Sequence, residues 1–244
     1  MRGEAGFPVR VWFTKNGKVR FISHRDVARA FERAFRIEAL PLSFTQGFSP
    51  RPKVSFGLAL SVGHESDAEY LDIEFAETVS VEPLAAAITR ALPEGIDVVE
   101  VVALADRAPA LQEAVTAVEW EIELIIDDDA ADASPTVVHD RVEALLDAPT
   151  LVLERIRKGR TGTEDIRPVI RRITTLGPTE RGTLIAVELA TRPTSVRPAE
   201  LIAALGTEFR EGRVRRTRQW IERGGVRYEP IASDPRSVLE ARAS

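Results

Sequence analysis

The chain has no cysteine among its 244 residues. That absence excludes disulfides, thiolate metal ligands and cysteine nucleophiles together, and it fits a reducing compartment. It also excludes an iron–sulfur cluster held by the chain's own thiolates. Histidine is nearly as scarce. His24, His64 and His139 are the only three, and their spacing matches no His-based metal motif, so neither a metal nor a cofactor is expected. Glycine-rich phosphate loops and Ser–His–Asp signatures are absent as recognisable patterns. No apolar run approaches ~18 residues, so no membrane span is expected. The opening residues, Met1 to Gly6, lack the apolar stretch of a signal peptide. The expectation is a soluble cytoplasmic protein.

What is present is enough for a core. Apolar residues make up 44% of the chain and charged residues 29%, which excludes a low-complexity tail protein. The length suits one large domain or two of ordinary size. The net charge of −5 averages unlike pieces. Residues 1–60 carry eleven Lys/Arg against four Asp/Glu, residues 61–153 three against twenty-two, and residues 154–244 nineteen against twelve. Surface potential follows local charge, so the two ends are basic and the middle acidic. Charge left on solvated faces is the competing reading.

Both halves show the same order of elements. In the first, Val9, Val11 and Phe13 alternate with Arg10, Trp12 and Thr14, a half-buried strand followed by an Asn16-Gly17 turn. Ser23 stands as a helix cap with Asp26 three residues on, and Val27, Phe31, Ala34 and Phe35 form one apolar face. Strands follow around Pro41–Phe56 and Glu69–Phe75. A helix capped by Ser80 carries Leu84, Ile88 and Leu92 and stops at Pro93 and Gly95. Ile96–Ala103 closes the half. In the second half Val118, Trp120, Ile122, Leu124 and Ile126 alternate with glutamates. An acidic loop over 127–135 precedes a helix bearing Val138, Val142, Leu145 and Leu146. Strands near Thr150–Ile156, Ile166–Leu176 and Thr183–Leu189, a helix over Pro198–Phe209 and a strand over Val214–Ile221 complete it. This reads as α+β, two tandem ferredoxin-like βαββαβ domains with antiparallel sheets over residues 1–108 and 109–230 and a tail over 231–244. A single larger α+β domain is the alternative.

Three clusters are over-specified for a core. The helix opened by Ser23 sets Arg25, Arg29 and Arg33 at i, i+4 and i+8, away from Phe31 and Phe35, with Arg36 adjoining. Arginine's planar fork suits phosphate, the helix start at His24 adds free N–H groups, and Lys18 and Arg20 stand just before it. A solvated face with Glu32 and Arg36 as an ordinary pair is the competing reading. In the loop Gln46-Gly47-Phe48-Ser49-Pro50-Arg51-Pro52-Lys53, glycine permits positive φ and the prolines keep the chain extended. Phe48 can stack on a base while Arg51 and Lys53 take phosphates; a core plug is the alternative for Phe48. The third cluster, Arg213, Arg215, Arg216 and Arg218 with Trp220, either extends a nucleic-acid path or pairs with the acidic middle. The combination points to a cationic site for RNA. His24, Arg29, Arg51, Lys53 and Tyr70 are expected to line one cleft.

The run Lys18-Val19-Arg20-Phe21-Ile22-Ser23-His24-Arg25-Asp26-Val27-Ala28-Arg29-Ala30-Phe31-Glu32-Arg33, continuing into Ala34-Phe35, with Leu40-Pro41-Leu42-Ser43, Gly47-Phe48-Ser49-Pro50-Arg51-Pro52-Lys53 and Glu69-Tyr70-Leu71-Asp72, resembles the bacterial radical-SAM-linked protein family. Asp165-Ile166-Arg167-Pro168 resembles its second signature. The match is dense over residues 9–75 and patchy beyond. Arg25 stands where a leucine is expected and Ser49 where an asparagine is expected. Members are fused behind a radical-SAM module or encoded beside one, resemble tandem ferredoxin-like RNA-binding proteins, and tend to be encoded near ribonuclease E/G and ribosomal-protein genes. The resemblance therefore implies RNA or ribosome maturation, with a radical-SAM protein as partner.

The expected function is that of a non-catalytic accessory protein that binds RNA, tRNA or rRNA, for a radical-SAM enzyme. The expected contacts are Arg20, His24, Arg25, Arg29, Arg33, Gln46, Phe48, Arg51, Lys53 and Tyr70, joined by Arg160, Asp165 and Arg167. One alternative makes His24 the general base of a metal-independent endoribonuclease. Another makes the acidic strand Glu119, Glu121 and Glu123, with Asp127–Asp129, a scaffold for a basic partner. Arg160-Thr161 with Asp165 resembles the Arg-Thr-Asp neighbourhood of some pseudouridine synthases, but the spacing differs, and Asp165 is read as pairing with an arginine.

Overall fold

The computed structural model describes residues 6–104, 108–126, 135–157 and 160–231. It is a mixed α/β chain of mostly antiparallel strands and few helices. It divides into two units, residues 1–115 together with 219–244, and residues 116–218.

The first unit begins with β1 (Phe7–Lys15). Its inward positions Val9, Val11 and Phe13 meet Val27, Phe31, Ala34 and Phe35 of α1 (His24–Ile37), the stripe that a period of 3.6 demands. Phe13 and Phe31 meet edge to face, with centroids 4.7 Å apart. Burying each such ring contributes about 1.5–3 kcal/mol. After β2 (Val54–Phe56) comes β3 (Glu65–Phe75), antiparallel to β1 with Val11 opposite Leu71. α2 (Leu84–Ala91) adds Leu84 and Ile88 to the same core, and β4 (Ile96–Ala103) pairs with the other edge of β1. The strand order is β4-β1-β3, with β2 on the far side of β3. Gly95 sits at φ +92, and a Cβ there would meet Asn16 O at 2.4 Å. The turn into β4 therefore has room only for glycine. A single helical turn, α3 (Leu111–Ala114), completes this stretch.

The second unit runs β5 (Ala117–Ile126), α4 (Pro135–Asp147), β6 (Val152–Arg157), β7 (Arg160–Asp165), β8 (Ile170–Pro178), β9 (Gly182–Ala190), α5 (Pro198–Leu205) and β10 (Phe209–Arg223). β6 and β7 form their own hairpin, and the remaining strands lie in the order β10-β5-β9-β8. Arg155 of β6 is buried and serves this unit as a hub. Its Nη1 donates to Glu164 (2.9 Å) and Thr194 (2.9 Å), and its Nη2 donates to Ser195 O (2.8 Å) and Glu200 (2.7 Å). The last five residues of β10 belong to the first unit, where they form a hairpin with β11 (Val226–Tyr228).

Several sequence expectations change. The strand expected over Pro41–Phe56 shrinks to β2 and two isolated bridges, Leu42 with Phe75 and Phe44 with Pro52. Prolines 41, 50 and 52 each remove an N–H, so no continuous ladder forms there. Pro83, not Ser80, occupies the cap of α2. The strand expected over Ile166–Leu176 opens as a short 3₁₀ turn, Arg167–Val169, before β8.

Candidate functional site

The exposed face of α1 carries Arg25, Arg29, Arg33 and Arg36. Ser23 caps the helix: its Oγ accepts from Asp26 N at 3.2 Å, while the Asp26 carboxylate accepts from the Ser23 hydroxyl at 2.6 Å and backbone N–H at 3.3 Å. These bonds hold the Asp26 carboxyl below its usual range. Asp26 is also 3.3 Å from Arg29. Arg25, Arg33 and Arg36 are exposed and meet no acidic partner among the described residues, and Glu32 makes no pair with Arg36. Exposed Lys18 is likewise without an acid. These side chains are available to phosphates.

The turn into α1 is braced from inside by a lysine. Lys15 takes the inward parity of Val9, Val11 and Phe13, is buried, and donates from Nζ to Arg20 O (3.1 Å) and Ile22 O (3.2 Å). Buried Glu65 accepts from Gly17 N at 3.0 Å and lies 3.5 Å from Arg20 Nη1. Arg20 is thus partly committed to Glu65, with its guanidinium 4.7 Å from the Phe21 ring. His24 is half-buried and stands edge-on to Phe56, centroids 5.2 Å apart. Lys15 and Glu65 were not singled out as site residues from sequence, although the parity of β1 marks Lys15 as inward-facing.

Residues 43–53 form a projecting arm. Its limbs are tied by Thr45 N to Arg51 O (2.9 Å), Arg51 N to Thr45 Oγ1 (3.0 Å) and Lys53 N to Ser43 O (2.8 Å). Its base is bound to β3 through Ser43 N to Glu74 O (2.7 Å) and Glu74 N to Lys53 O (3.0 Å). Lys53 itself is ion-paired with Glu74. Gln46, Phe48 and Arg51 are exposed, and Phe48, at 111% relative exposure, plugs no core.

Tyr70 lies elsewhere. On β3 the residues Leu71, Ile73 and Phe75 face the helices, so Tyr70 takes the opposite face with Trp12, Ala68 and Leu111. It is buried, its hydroxyl has no hydrogen-bond partner among the described residues, and burial pushes its ionisation well up. Lys53 follows Glu74 to that same face, whereas His24 packs on Phe56 at the helix side. The expectation of one cleft holding His24, Lys53 and Tyr70 is therefore corrected, because the sheet stands between them.

In the second unit Arg160 begins β7, and its side chain lies outside the described residues. Asp165 Oδ1 accepts from Leu151 N (2.8 Å) and Arg167 N (3.0 Å). The Arg167 guanidinium goes instead to Ile170 O (3.1 Å) and Leu146 O (2.7 Å). The expected arginine pairing of Asp165 is corrected: backbone amides hold it. Arg213 and Arg215 line a pocket of about 250 Å³ with Glu121, Glu123, Thr179 and Leu184. The Thr179 hydroxyl (2.7 Å) and Arg213 N (3.1 Å) hold the Glu123 carboxyl below its usual range. Arg216 is buried, with its guanidinium 4.8 Å from the Trp120 ring. This third basic cluster thus meets the acidic strand, and Glu119 lies 3.5 Å from Arg172. Asp127–Asp129 lie outside the described residues. Among the described residues no three of His, Asp and Glu are placed to hold a metal, and no helix is long and apolar enough to cross a membrane.

Strand order and packing define a mixed α/β protein of mostly antiparallel sheet. The chain belongs to the DUF2344 family, described as an uncharacterized protein conserved in bacteria, which it matches over residues 9–198. No curated protein matches it. Among solved structures it is similar to a chain of a Cbf5–Nop10–Gar1 complex, at 14% identity and a TM-score of 0.50, covering 90% of this chain and 54% of that one. It is also similar to a chain of an H/ACA RNP bound to a substrate RNA containing 2'-deoxyuridine (14%, TM-score 0.45, 91% and 48% covered). A chain of an archaeal box H/ACA sRNP Nop10–Cbf5 complex follows (14%, TM-score 0.44, 88% and 48%). The chain spans about half the length of these chains, and the first likeness is one of fold alone.

Proposed function

We propose that this chain is a non-catalytic RNA-binding accessory protein, built on two ferredoxin-like halves, that serves a radical-SAM enzyme in tRNA or rRNA maturation. The observation that carries the RNA reading is the row of exposed cations on α1, Arg25, Arg33 and Arg36, none of which meets an acid among the described residues. Unneutralised guanidiniums on one helix face suit a phosphate backbone, since each displaces a condensed counterion on binding. The ferredoxin-like reading is supported by the order β4-β1-β3-β2 with α1 and α2 in one core, and by β10-β5-β9-β8 with the β6–β7 hairpin inserted. The radical-SAM partnership rests on the resemblance of Lys18–Asp26 and Gly47–Lys53 to the linked family. A chain without cysteine supplies no cluster ligand of its own.

RNA crosslinked to the native protein in cells, then sequenced, tests the reading: enrichment of defined tRNA or rRNA segments is expected. A partner retained after nuclease treatment, with no crosslinked RNA, would replace it with the protein-scaffold reading. Total RNA incubated with the protein in EDTA is expected to stay intact. Discrete cleavage abolished by His24→Ala would instead establish the endoribonuclease.

A further inference from the structure

We infer that the arm 43–53 is a stacking finger for an unpaired nucleotide, so that the ligand is single-stranded RNA in a loop, bulge or end and not a continuous duplex. This deepens the RNA-binding reading above and rests on it.

The arm is built to hold an aromatic ring in water. Its two limbs are cross-tied at Ser43, Thr45, Arg51 and Lys53, and its base is bound on both sides to Glu74. Pro50 and Pro52 fix their own φ angles, and Gly47 stands at φ +129, where a side chain would be strained. The tip is therefore pre-shaped, and an aromatic presented this way gives up little freedom on binding. Phe48 crowns it at 111% relative exposure, with Phe44 lower on the same arm at 51%. A phenyl ring left wholly in water earns nothing for the fold. It offers a flat apolar face to a partner with a flat apolar face of its own.

Charge selects which partner. No aspartate or glutamate occurs between Glu38 and Glu65, so the arm has no acid of its own. Glu74 engages Lys53 at the base, while Arg51, just below the tip, meets no acid among the described residues. An exposed aromatic ring three residues before an arginine that meets no acid suits a nucleotide, with the base on the ring and the phosphate on the arginine. Gln46, exposed beside them, offers both a donor and an acceptor to a base edge. A duplex cannot use this device. Its bases are stacked on one another, and the A-form major groove is too narrow for side chains to read.

The test compares three RNAs of one sequence by fluorescence anisotropy: a single strand, the same strand in a full duplex, and a hairpin presenting it as a loop. The wild-type chain is expected to prefer strand and loop over duplex. Phe48→Ala should weaken strand and loop binding roughly ten- to a hundredfold and leave the duplex unchanged. Phe48→Trp should restore affinity, with its added fluorescence quenched by the RNA. Because Phe48 buries nothing, each variant's folding can be checked independently by thermal melting. Equal affinity for strand and duplex, with Phe48→Ala harmless, would overturn the stacking finger while leaving the RNA reading intact. No binding to any of the three would remove the RNA reading itself. Loss of a nuclease-resistant protein partner in Phe48→Ala, with RNA affinity unchanged, would reassign the arm to a protein.

Discussion

Lys53 is ion-paired with Glu74, whereas Arg51, two residues earlier on the same arm, meets no acid among the described residues. The relationship divides two cations that look equivalent in sequence. Lys53 fastens the arm, and on the proposed reading Arg51 is left to the RNA. Arg51→Ala is therefore expected to weaken RNA binding more than Lys53→Ala does. Lys53→Ala should instead lower stability, by about 0.5 kcal/mol, since both partners are partly exposed and water screens the pair. Urea melts and RNA titrations on the two variants separate the roles.

Tyr70 is an expected RNA contact from sequence, yet it is buried, and its hydroxyl has no hydrogen-bond partner among the described residues. Tyr70→Phe removes that hydroxyl at no cost in packing and should leave stability unchanged or raise it by about 1 kcal/mol. RNA affinity should not change. Burial holds the folded-state pKa above the usual value near 10. The stability this contributes is fully present below that unfolded-state value and is lost as pH rises above it, when the unfolded phenol ionises and the folded one resists. Melting curves from pH 8 upward should therefore fall less steeply for Tyr70→Phe than for the wild type.

Arg155 ties the β6–β7 hairpin to the start of α5 through Glu164, Thr194, Ser195 and Glu200. Arg155→Leu removes a buried guanidinium that makes two ion pairs and four hydrogen bonds, and should cost about 3 kcal/mol. A lowered urea midpoint with an unchanged slope is the expected result. A midpoint equal to the wild type would show the hub to be dispensable.

The Ser23 cap gives a local check on the helix that carries the cations. Ser23→Ala should destabilise by about 1 kcal/mol. Ser23→Asn, which can still accept from Asp26 N, should recover most of the loss in a thermal melt.

Much of this was legible where the determining forces are local. The Ser23–Asp26 box and the Val27, Phe31, Ala34 and Phe35 stripe follow from residues three to eight apart, and they appear in α1 as read. β5 likewise shows the alternation of Trp120, Ile122 and Leu124. What failed depended on pairing across distance. The stretch 41–56 reads as one strand, yet its three prolines, Pro41, Pro50 and Pro52, leave it only a few cross-bonds outside β2. β7 was missed because Arg160-Thr161-Gly162-Thr163-Glu164-Asp165 has no apolar alternation, and its partner β6 supplies the ladder. The cleft expectation ignored strand parity: with Leu71, Ile73 and Phe75 inward, Tyr70 had to face away from α1.

The central claim is that the free cations of α1 bind an RNA backbone, and the salt dependence of RNA affinity tests it most directly. Affinity for a structured RNA containing a loop, measured across a salt series, should fall steeply for the wild-type chain. In Arg25→Ala with Arg33→Ala the slope of log affinity against log salt should flatten by about 0.7 for each phosphate contact removed, with melting temperature unchanged. A double variant with the wild-type slope and affinity would contradict the account.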